Sequence, residues 1–148
     1  MNENYYLAYL NDYATTDENH PIVYTRDLYS CIAIFMHEKS KTTLFHIESY
    51  KDGEIKIDIL NDYLKNTDGK EINASIFKAR NSSDTNINII ITLIEKNNIS
   101  YTINDAYVSL SNETTIGYNA NDDVYYGITM DNGVPIFDEI NITTDKHL

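Results

Sequence analysis

The sequence has few of the residues on which several common kinds of site depend. Its 148 residues include one cysteine, two prolines, five glycines and no tryptophan. One cysteine cannot form an internal disulfide or a cysteine-based zinc site, so its thiol is either a small buried apolar group or a reactive nucleophile. The sequence also contains no HExxH, P-loop or GxGxxG pattern, so these metalloprotease and nucleotide-binding motifs are excluded.

Basic residues are scarce as well, with 11 lysines and arginines against 23 aspartates and glutamates and a formal net charge of −12. Such a chain repels phosphate groups, so we expect no nucleic-acid partner and no binding to anionic membrane surfaces. The longest apolar run, residues 31–36, is far below the roughly 20 residues that span a bilayer. The N-terminus has neither the basic nor the apolar segment of a cleavable signal peptide.

The apolar residues that are present predict a globular fold. They make up 42% of the chain, enough for a buried core, and we expect a single domain over residues 1–148. One helix is expected over residues 54–66, where Ile55, Ile59 and Tyr63 belong to a set of apolar residues at helical spacing. A second begins at Ser83 or Asp84 and has isoleucines at helical spacing over residues 87–94. With about eight strands, the predicted fold class is α+β: a mostly antiparallel sheet or sandwich flanked by two helices.

The strands are predicted from alternating or continuous apolar segments between turn residues. The continuous run at 32–36 is typical of a strand covered on both faces, and Asn132-Gly133 predicts a hairpin turn before the last strand. The predicted strands cover residues 4–10, 22–25, 32–36, 42–48, 72–79, 106–110, 114–118, 124–128 and 134–137.

Cys31 and the histidines are the groups that can act as nucleophile or acid–base catalyst near neutral pH. His37 is too far from Cys31 to be its partner, since six residues of strand span roughly 20 Å. A hairpin centred near Glu38 and Lys39 would instead place positions 31 and 46 opposite each other, with Cβ atoms about 4.5–5.5 Å apart. We therefore predict a Cys31–His46 pair. The alternative left open is a cysteine that only packs in the core, because cysteine is among the most often buried residues.

Two polar loops and a tyrosine-rich segment are better explained by structure than by a binding function. The Asn- and Asp-rich loops at 121–123 and 131–133 do not fit the calcium-loop spacing, so we interpret them as solvated turns. The tyrosine-rich N-terminal segment, residues 5–13, is interpreted mainly as sheet packing, with a contact surface as the alternative.

The segment over residues 23–31, Val-Tyr-Thr-Arg-Asp-Leu-Tyr-Ser-Cys, resembles the active-site segment of the chemoreceptor glutamine deamidases (CheD). That segment reads Thr-x-Gly-Leu-Gly-Ser-Cys and precedes an apolar strand and a histidine. Thr25, Leu28 and Ser30 stand at the matching positions. The glutamine-deamidating toxins related to cytotoxic necrotizing factor and Burkholderia lethal factor share the cysteine–histidine arrangement, and the spacing between the two residues is similar here.

The resemblance extends along the chain. Residues 74–77 resemble the Ala-x-Ile-Phe strand of the family, the helix over 87–94 follows where its second helix stands, and residues 98–101 resemble the next short strand. Asp27 and Tyr29 replace two glycines of the motif. These departures alter the rim of the site and leave its cysteine, histidine and threonine in place. The resemblance therefore favours a bacterial toxin or effector that modifies a host protein over a chemoreceptor deamidase.

The resemblance implies a cysteine-dependent protein-glutamine deamidase, which converts glutamine to glutamate and releases ammonia. Cys31 would be the nucleophile, His46 the general base and acid, and Thr25 the residue that orients the imidazole. Ser30 and Tyr29 would contact the substrate. No metal or organic cofactor is required.

The implied partner is a protein substrate that carries the target glutamine. We expect a monomer, located in the bacterial cytoplasm or translocated into a host cell without a cleavable signal peptide. The alternatives left open are a chemoreceptor deamidase, a non-enzymatic acidic binding module that kept the fold, and a transglutaminase-like enzyme.

Overall fold

The computed structural model describes residues 4–105, 114–132, 134–139 and 145–147, and the predicted α+β class is confirmed. These residues form two helices, α1 (Asp58–Leu64) and α2 (Asp84–Lys96), and thirteen strands, several of only two or three residues. The strands are β1 (Tyr5–Leu7), β2 (Asp12–Thr15), β3 (Ile22–Leu28), β4 (Ile32–His37), β5 (Thr42–Ile47), β6 (Ser49–Lys51), β7 (Glu54–Ile55), β8 (Asn73–Lys78), β9 (Ser100–Asp105), β10 (Thr114–Asn119), β11 (Val124–Asp131), β12 (Val134–Glu139) and β13 (Asp145–His147).

The strands form two large sheets and a small ribbon. One sheet has the order β1-β3-β10-β11-β12, the other has the order β13-β9-β8-β4-β5-β2, and β6 pairs with β7. Only the β1–β3 and β8–β9 pairs among the described strands are parallel. Four of the antiparallel pairs, β4–β5, β6–β7, β10–β11 and β11–β12, are joined by short turns, whereas parallel neighbours need longer connections.

The six-stranded sheet lies at the centre of the fold because both of its faces are covered. Ile32, Ile34 and Met36 pack with the buried side chains of the two helices. Ala33 and Phe35 point to the other face and pack with the five-stranded sheet. Alternate residues of a strand point to opposite faces, so the continuous apolar run of β4 serves both layers, as predicted.

The second helix begins as the sequence predicts. The side chain of Ser83 caps α2 by accepting a hydrogen bond from the backbone N–H of Asn86 at 3.2 Å. Ile87, Ile90 and Ile94 are buried against the sheet. Isoleucine has a modest helix propensity, so this burial, worth roughly 1.5–3 kcal/mol per side chain, stabilises the helix in place.

The first helix begins later than expected. The helical pattern is predicted from residue 54, but Glu54 and Ile55 form strand β7, and helix α1 starts at Asp58. The reason is the turn at Asp52-Gly53: Gly53 adopts a φ of 85°, which returns the chain antiparallel to β6. The helical spacing of the apolar residues therefore corresponds to a helix only from Asp58 onward, after the β6–β7 ribbon.

The N-terminal segment also differs from the prediction. A strand is expected over residues 4–10, but β1 ends at Leu7 and the chain turns at Asn11, which has a φ of 57°. Strand β2 then joins the other sheet beside β5. Residues 8–11 therefore cross from one sheet to the other. The predicted strand at 106–110 lies outside the described residues, whereas the predicted hairpin of β11 and β12 is confirmed by their antiparallel pairing.

Candidate active site

His46 lies on β5, on the face that meets the five-stranded sheet. In the β4–β5 hairpin it is paired with Ala33, and Cys31 stands two residues before Ala33. The prediction that positions 31 and 46 are directly opposite is therefore wrong. The turn closes through a hydrogen bond from the Glu38 N–H to the Lys41 carbonyl at 2.8 Å, one residue later than predicted. When the centre of the hairpin turn shifts by one residue, the residue paired with each position changes by two. Each side chain therefore stays on its predicted face of the sheet.

Cys31 and His46 line the same cavity, of about 330 Å³. Cys31 is half-buried, and His46 is only 4% exposed. The crossing segment of residues 8–11 supplies part of the wall, with Tyr9 64% exposed at the rim. The cavity is lined by Leu7, Ala8, Tyr9, Leu10, Arg26, Cys31 and His46.

Thr25 holds the imidazole of His46. Its side chain on β3 is fully buried, and its Oγ1 lies 2.7 Å from Nδ1 of His46. The same hydroxyl donates its hydrogen to the carbonyl oxygen of Ala8, also at 2.7 Å. A hydroxyl has one hydrogen to donate, so Nδ1 of neutral His46 carries the ring proton and donates it to Thr25. The basic lone pair is then on Nε2. In this tautomer, the ring can act as a general base through Nε2.

The thiol of Cys31 is protonated in the resting protein. Burial raises its pKa, a hydrogen bond from the backbone N–H of Ser49 lowers it, and the nearby charge of Glu48 raises it. Since the thiolate is the nucleophile, a thiol of this kind needs a base to take its proton as it reacts. Among the groups that line the cavity, the imidazole of His46 is the one suited to that step near neutral pH.

The backbone at Cys31 is fixed from the neighbouring turn. Ser82 Oγ donates to the carbonyl oxygen of Cys31 at 2.9 Å, and the N–H of Asn81 donates to the carbonyl of Tyr29 at 3.1 Å. The side chain of Tyr29 is 57% exposed, and Ser30 is half-buried. Neither residue lines the cavity, so their predicted substrate contacts would occur outside it.

Asn86 supports the site from the helical side, and it was not predicted. The side chain is fully buried, and its Nδ2 donates to Ser49 Oγ at 2.7 Å and to the Lys51 carbonyl at 2.8 Å. Its Oδ1 accepts the N–H of Gly53 at 2.7 Å. Asn86 thus holds the ribbon that presents the Ser49 N–H to Cys31. A signal was available, because this asparagine adjoins the apolar face of α2 beside Ile87 and Ile90.

The sequence contains no pattern that would predict the other residues of the cavity. Ala8 acts through its carbonyl oxygen, which every residue possesses, and Arg26 resembles any exposed cation of an acidic protein. His20 does not line the cavity; it lies in a turn that is closed by backbone hydrogen bonds to Asp17, and its ring contacts the Asp17 carboxylate at 2.9 Å. His37 is at the other end of β4 from Cys31.

The described residues contain no group of three or more histidine, cysteine, aspartate or glutamate side chains placed to hold a metal ion. Neither helix of the part described is long and apolar enough to cross a membrane. No model of a known protein family matches the chain, and no curated protein gives a significant match.

Proposed function

We propose that this protein is a cysteine-dependent protein-glutamine deamidase. The observation that carries the proposal is the shared cavity of Cys31 and His46, with Thr25 bonded to the imidazole on its far side. These are the three residues that the motif resemblance assigns to the catalytic roles. A cysteine, a histidine and an orienting group on the histidine form the arrangement used in acyl transfer on unrelated folds.

In the proposed reaction, Nε2 of His46 takes the thiol proton as Cys31 Sγ attacks the carboxamide carbon of a substrate glutamine. The C–N bond then breaks, and the imidazolium gives its proton to the leaving nitrogen, which departs as ammonia. Water, activated by His46, attacks the thioester, forms the carboxylate of glutamate and returns the thiol. Thr25 accepts a hydrogen bond from Nδ1 throughout, which keeps the basic lone pair of the neutral ring on Nε2.

The proposed substrate is a protein, and the toxin or effector interpretation comes from the departures of the motif at Asp27 and Tyr29. The lining of the cavity supports a protein substrate, because Tyr9 and Leu10 are both more than half exposed. Large apolar side chains that remain exposed beside a site are typical of protein contact surfaces. The net charge of −12 favours a substrate with a basic patch near its glutamine.

The test is a deamidation assay on candidate substrate proteins, read by mass spectrometry as glutamine-to-glutamate conversion, with ammonia release measured in parallel. We expect Cys31→Ala and His46→Ala to abolish conversion. We expect His20→Ala, which changes a partly exposed histidine that does not line the cavity, to leave conversion unchanged. Full activity in Cys31→Ala would refute the proposal. Added primary amines would reveal a transglutaminase-like reaction by forming amide products at the same glutamine.

One observation favours a second candidate, a non-enzymatic acidic binding module. The pKa of Cys31 is raised by burial and by Glu48, as for a thiol with no reactive role. Alkylation of the intact protein separates the two, because Cys31 is the only cysteine. A catalytic pair predicts that His46→Ala slows alkylation near neutral pH relative to wild type and His20→Ala. Equal rates in all three proteins would favour the binding module.

A further inference from the structure

A second cavity, of about 450 Å³, lies at the opposite end of β4 from Cys31. It opens where the ends of the two sheets face each other. The six-stranded sheet contributes His37, Ser75 and Thr102, while the β10–β11 hairpin contributes Tyr118, Asp123 and Tyr125. None of these residues belongs to the candidate active site.

Three rings come together in this wall. The ring centroids of His37 and Tyr118 are 4.6 Å apart, and those of Tyr118 and Tyr125 are 4.9 Å apart. The hydroxyl of Tyr125 donates to Ser75 Oγ at 2.7 Å, so it accepts a hydrogen bond from Nε2 of His37, also at 2.7 Å. Nδ1 of His37 then accepts from the Thr42 hydroxyl at 3.0 Å. These bonds hold the rings in one arrangement without a ligand.

The rings are uncharged near neutral pH. Burial lowers the pKa of His37 to about 4. Burial likewise raises the pKa of Tyr118 and of Tyr125, and Asp123 raises both further. Of the residues that line the cavity, Asp123 is therefore the one that carries a charge.

Asp123 stands at the mouth of the cavity with its carboxylate available to a ligand. The residue is exposed and accepts a hydrogen bond from the Tyr118 hydroxyl. No lysine or arginine forms an ion pair with it within residues 4–105, 114–132, 134–139 and 145–147. A cation at this carboxylate would lie beside the neutral rings, and the faces of aromatic rings attract cations.

The charges of the adjoining surface do not offset that of Asp123. An adjoining depression shares the wall formed by His37, Tyr118 and Asp123, and it carries three further carboxylates against two lysines. These charged groups are Asp17, Glu18, Glu38, Lys39 and Lys41. Of these carboxylates, Glu38 pairs with Lys70 at 3.4 Å and Asp17 contacts His20 at 2.9 Å. An anionic ligand would meet repulsion from Asp123 at both openings, whereas a cation would be attracted.

We propose that this second cavity binds a small organic cation of the alkylammonium class, with Asp123 as its counter-ion and Tyr118 and Tyr125 as its aromatic wall. The volume accommodates a ligand of this kind without rearrangement of the two sheets. The proposal is independent of the deamidase activity, because it uses neither Cys31 nor His46.

Choline is a suitable probe, and its carbon isostere, in which a tert-butyl group replaces the trimethylammonium group, is the neutral control. We expect saturable choline binding by calorimetry, with a shift of the His37 ring resonances in NMR spectra. We expect the isostere to bind at least about tenfold more weakly than choline. Equal affinity for the two compounds, or choline binding that leaves the His37 resonances unmoved, would overturn the proposal.

A pair of variants separates the site from the general charge of the protein. Asp123→Asn removes the proposed counter-ion, and we expect it to weaken choline binding about tenfold. Asp122→Asn makes the same change one residue away, where the side chain accepts from Asn119 and does not line the cavity. Equal weakening by both variants would show non-specific attraction and overturn the proposal. If Asp123→Asn fails to fold, the comparison of choline with its isostere on the wild type still decides.

Discussion

Replacing Thr25 with valine tests the link between the fold and the candidate active site. Valine has nearly the same shape as threonine and lacks the hydroxyl, which joins the Ala8 carbonyl to Nδ1 of His46 through two contacts of 2.7 Å. Because Thr25 is fully buried, water cannot take the place of the lost hydroxyl. The Ala8 carbonyl and the Nδ1 proton of His46 both lose this partner.

The expected cost follows from these two groups. A buried polar group that loses its partner costs about 1–3 kcal/mol, so Thr25→Val is expected to lower the free energy of unfolding by about 3 kcal/mol. For a chain of this size, that is a fall in melting temperature of roughly 6–12 °C. Thr25→Ser is the matched control: it keeps the hydroxyl and removes one methyl group, at a cost of about 1 kcal/mol.

The assay is urea unfolding followed by circular dichroism and by tyrosine fluorescence, since the chain has 13 tyrosines and no tryptophan. NMR of the His46 ring gives an independent readout. The wild type and Thr25→Ser are expected to carry the proton on Nδ1, and Thr25→Val to lose that preference. A Thr25→Val variant as stable as Thr25→Ser, or a wild-type His46 protonated only on Nε2, would refute the reasoning.

Three further predictions concern other parts of the structure. Asn86→Ala leaves buried groups in the 49–54 ribbon without their partner, so we expect a loss of about 2–4 kcal/mol in urea unfolding; a loss below about 0.5 kcal/mol would contradict this role. His37 has a pKa of about 4 when folded against 6.5 for the free side chain, so between these pH values only the unfolded chain binds the proton, and stability is lost as the pH falls. We expect the wild type to lose about 2–3 kcal/mol more than His37→Gln between pH 7 and pH 4.5, and equal losses would contradict burial of a neutral His37. Glu48→Gln removes a charge that raises the pKa of Cys31, so we expect alkylation of the Cys31 thiol at pH 7 to be about twofold to fivefold faster. A slower rate would show that Glu48 does not act on the thiol through its charge.

The sequence was sufficient for features that depend on local pattern. The apolar run of β4 predicted a strand buried on both faces. The isoleucine spacing predicted α2 with a cap at Ser83 or Asp84, and Ser83 is the cap. These predictions succeed because side-chain periodicity follows directly from the geometry of helices and strands. The pairing of His46 with Cys31 was misplaced by two positions, yet both side chains still lie on the predicted face, because the side-chain period of a strand is two residues.

Other features depend on parts of the chain that are distant in sequence. The first helix starts at Asp58 because the ribbon before it pairs with itself, and that ribbon is held by Asn86 from the second helix. A helical pattern cannot reveal such a constraint, since tertiary contacts override local propensity. Likewise, the carbonyl of Ala8 and the N–H of Ser49 are groups that every such residue has, and only the folded chain brings them to Thr25 and Cys31.

The single cysteine and its surroundings show which features the sequence determines and which the tertiary structure determines. The sequence by itself determined the α+β class, the face shared by Cys31 and His46, and the residues of a motif that includes Thr25. Only the tertiary structure decided that Thr25 bonds to His46, that residues 8–11 wall the cavity, and that a second cavity forms at Asp123. The physical reason is that periodicity assigns a side chain to a face, whereas a site requires groups from several strands to converge, and that convergence is set by sheet order and packing.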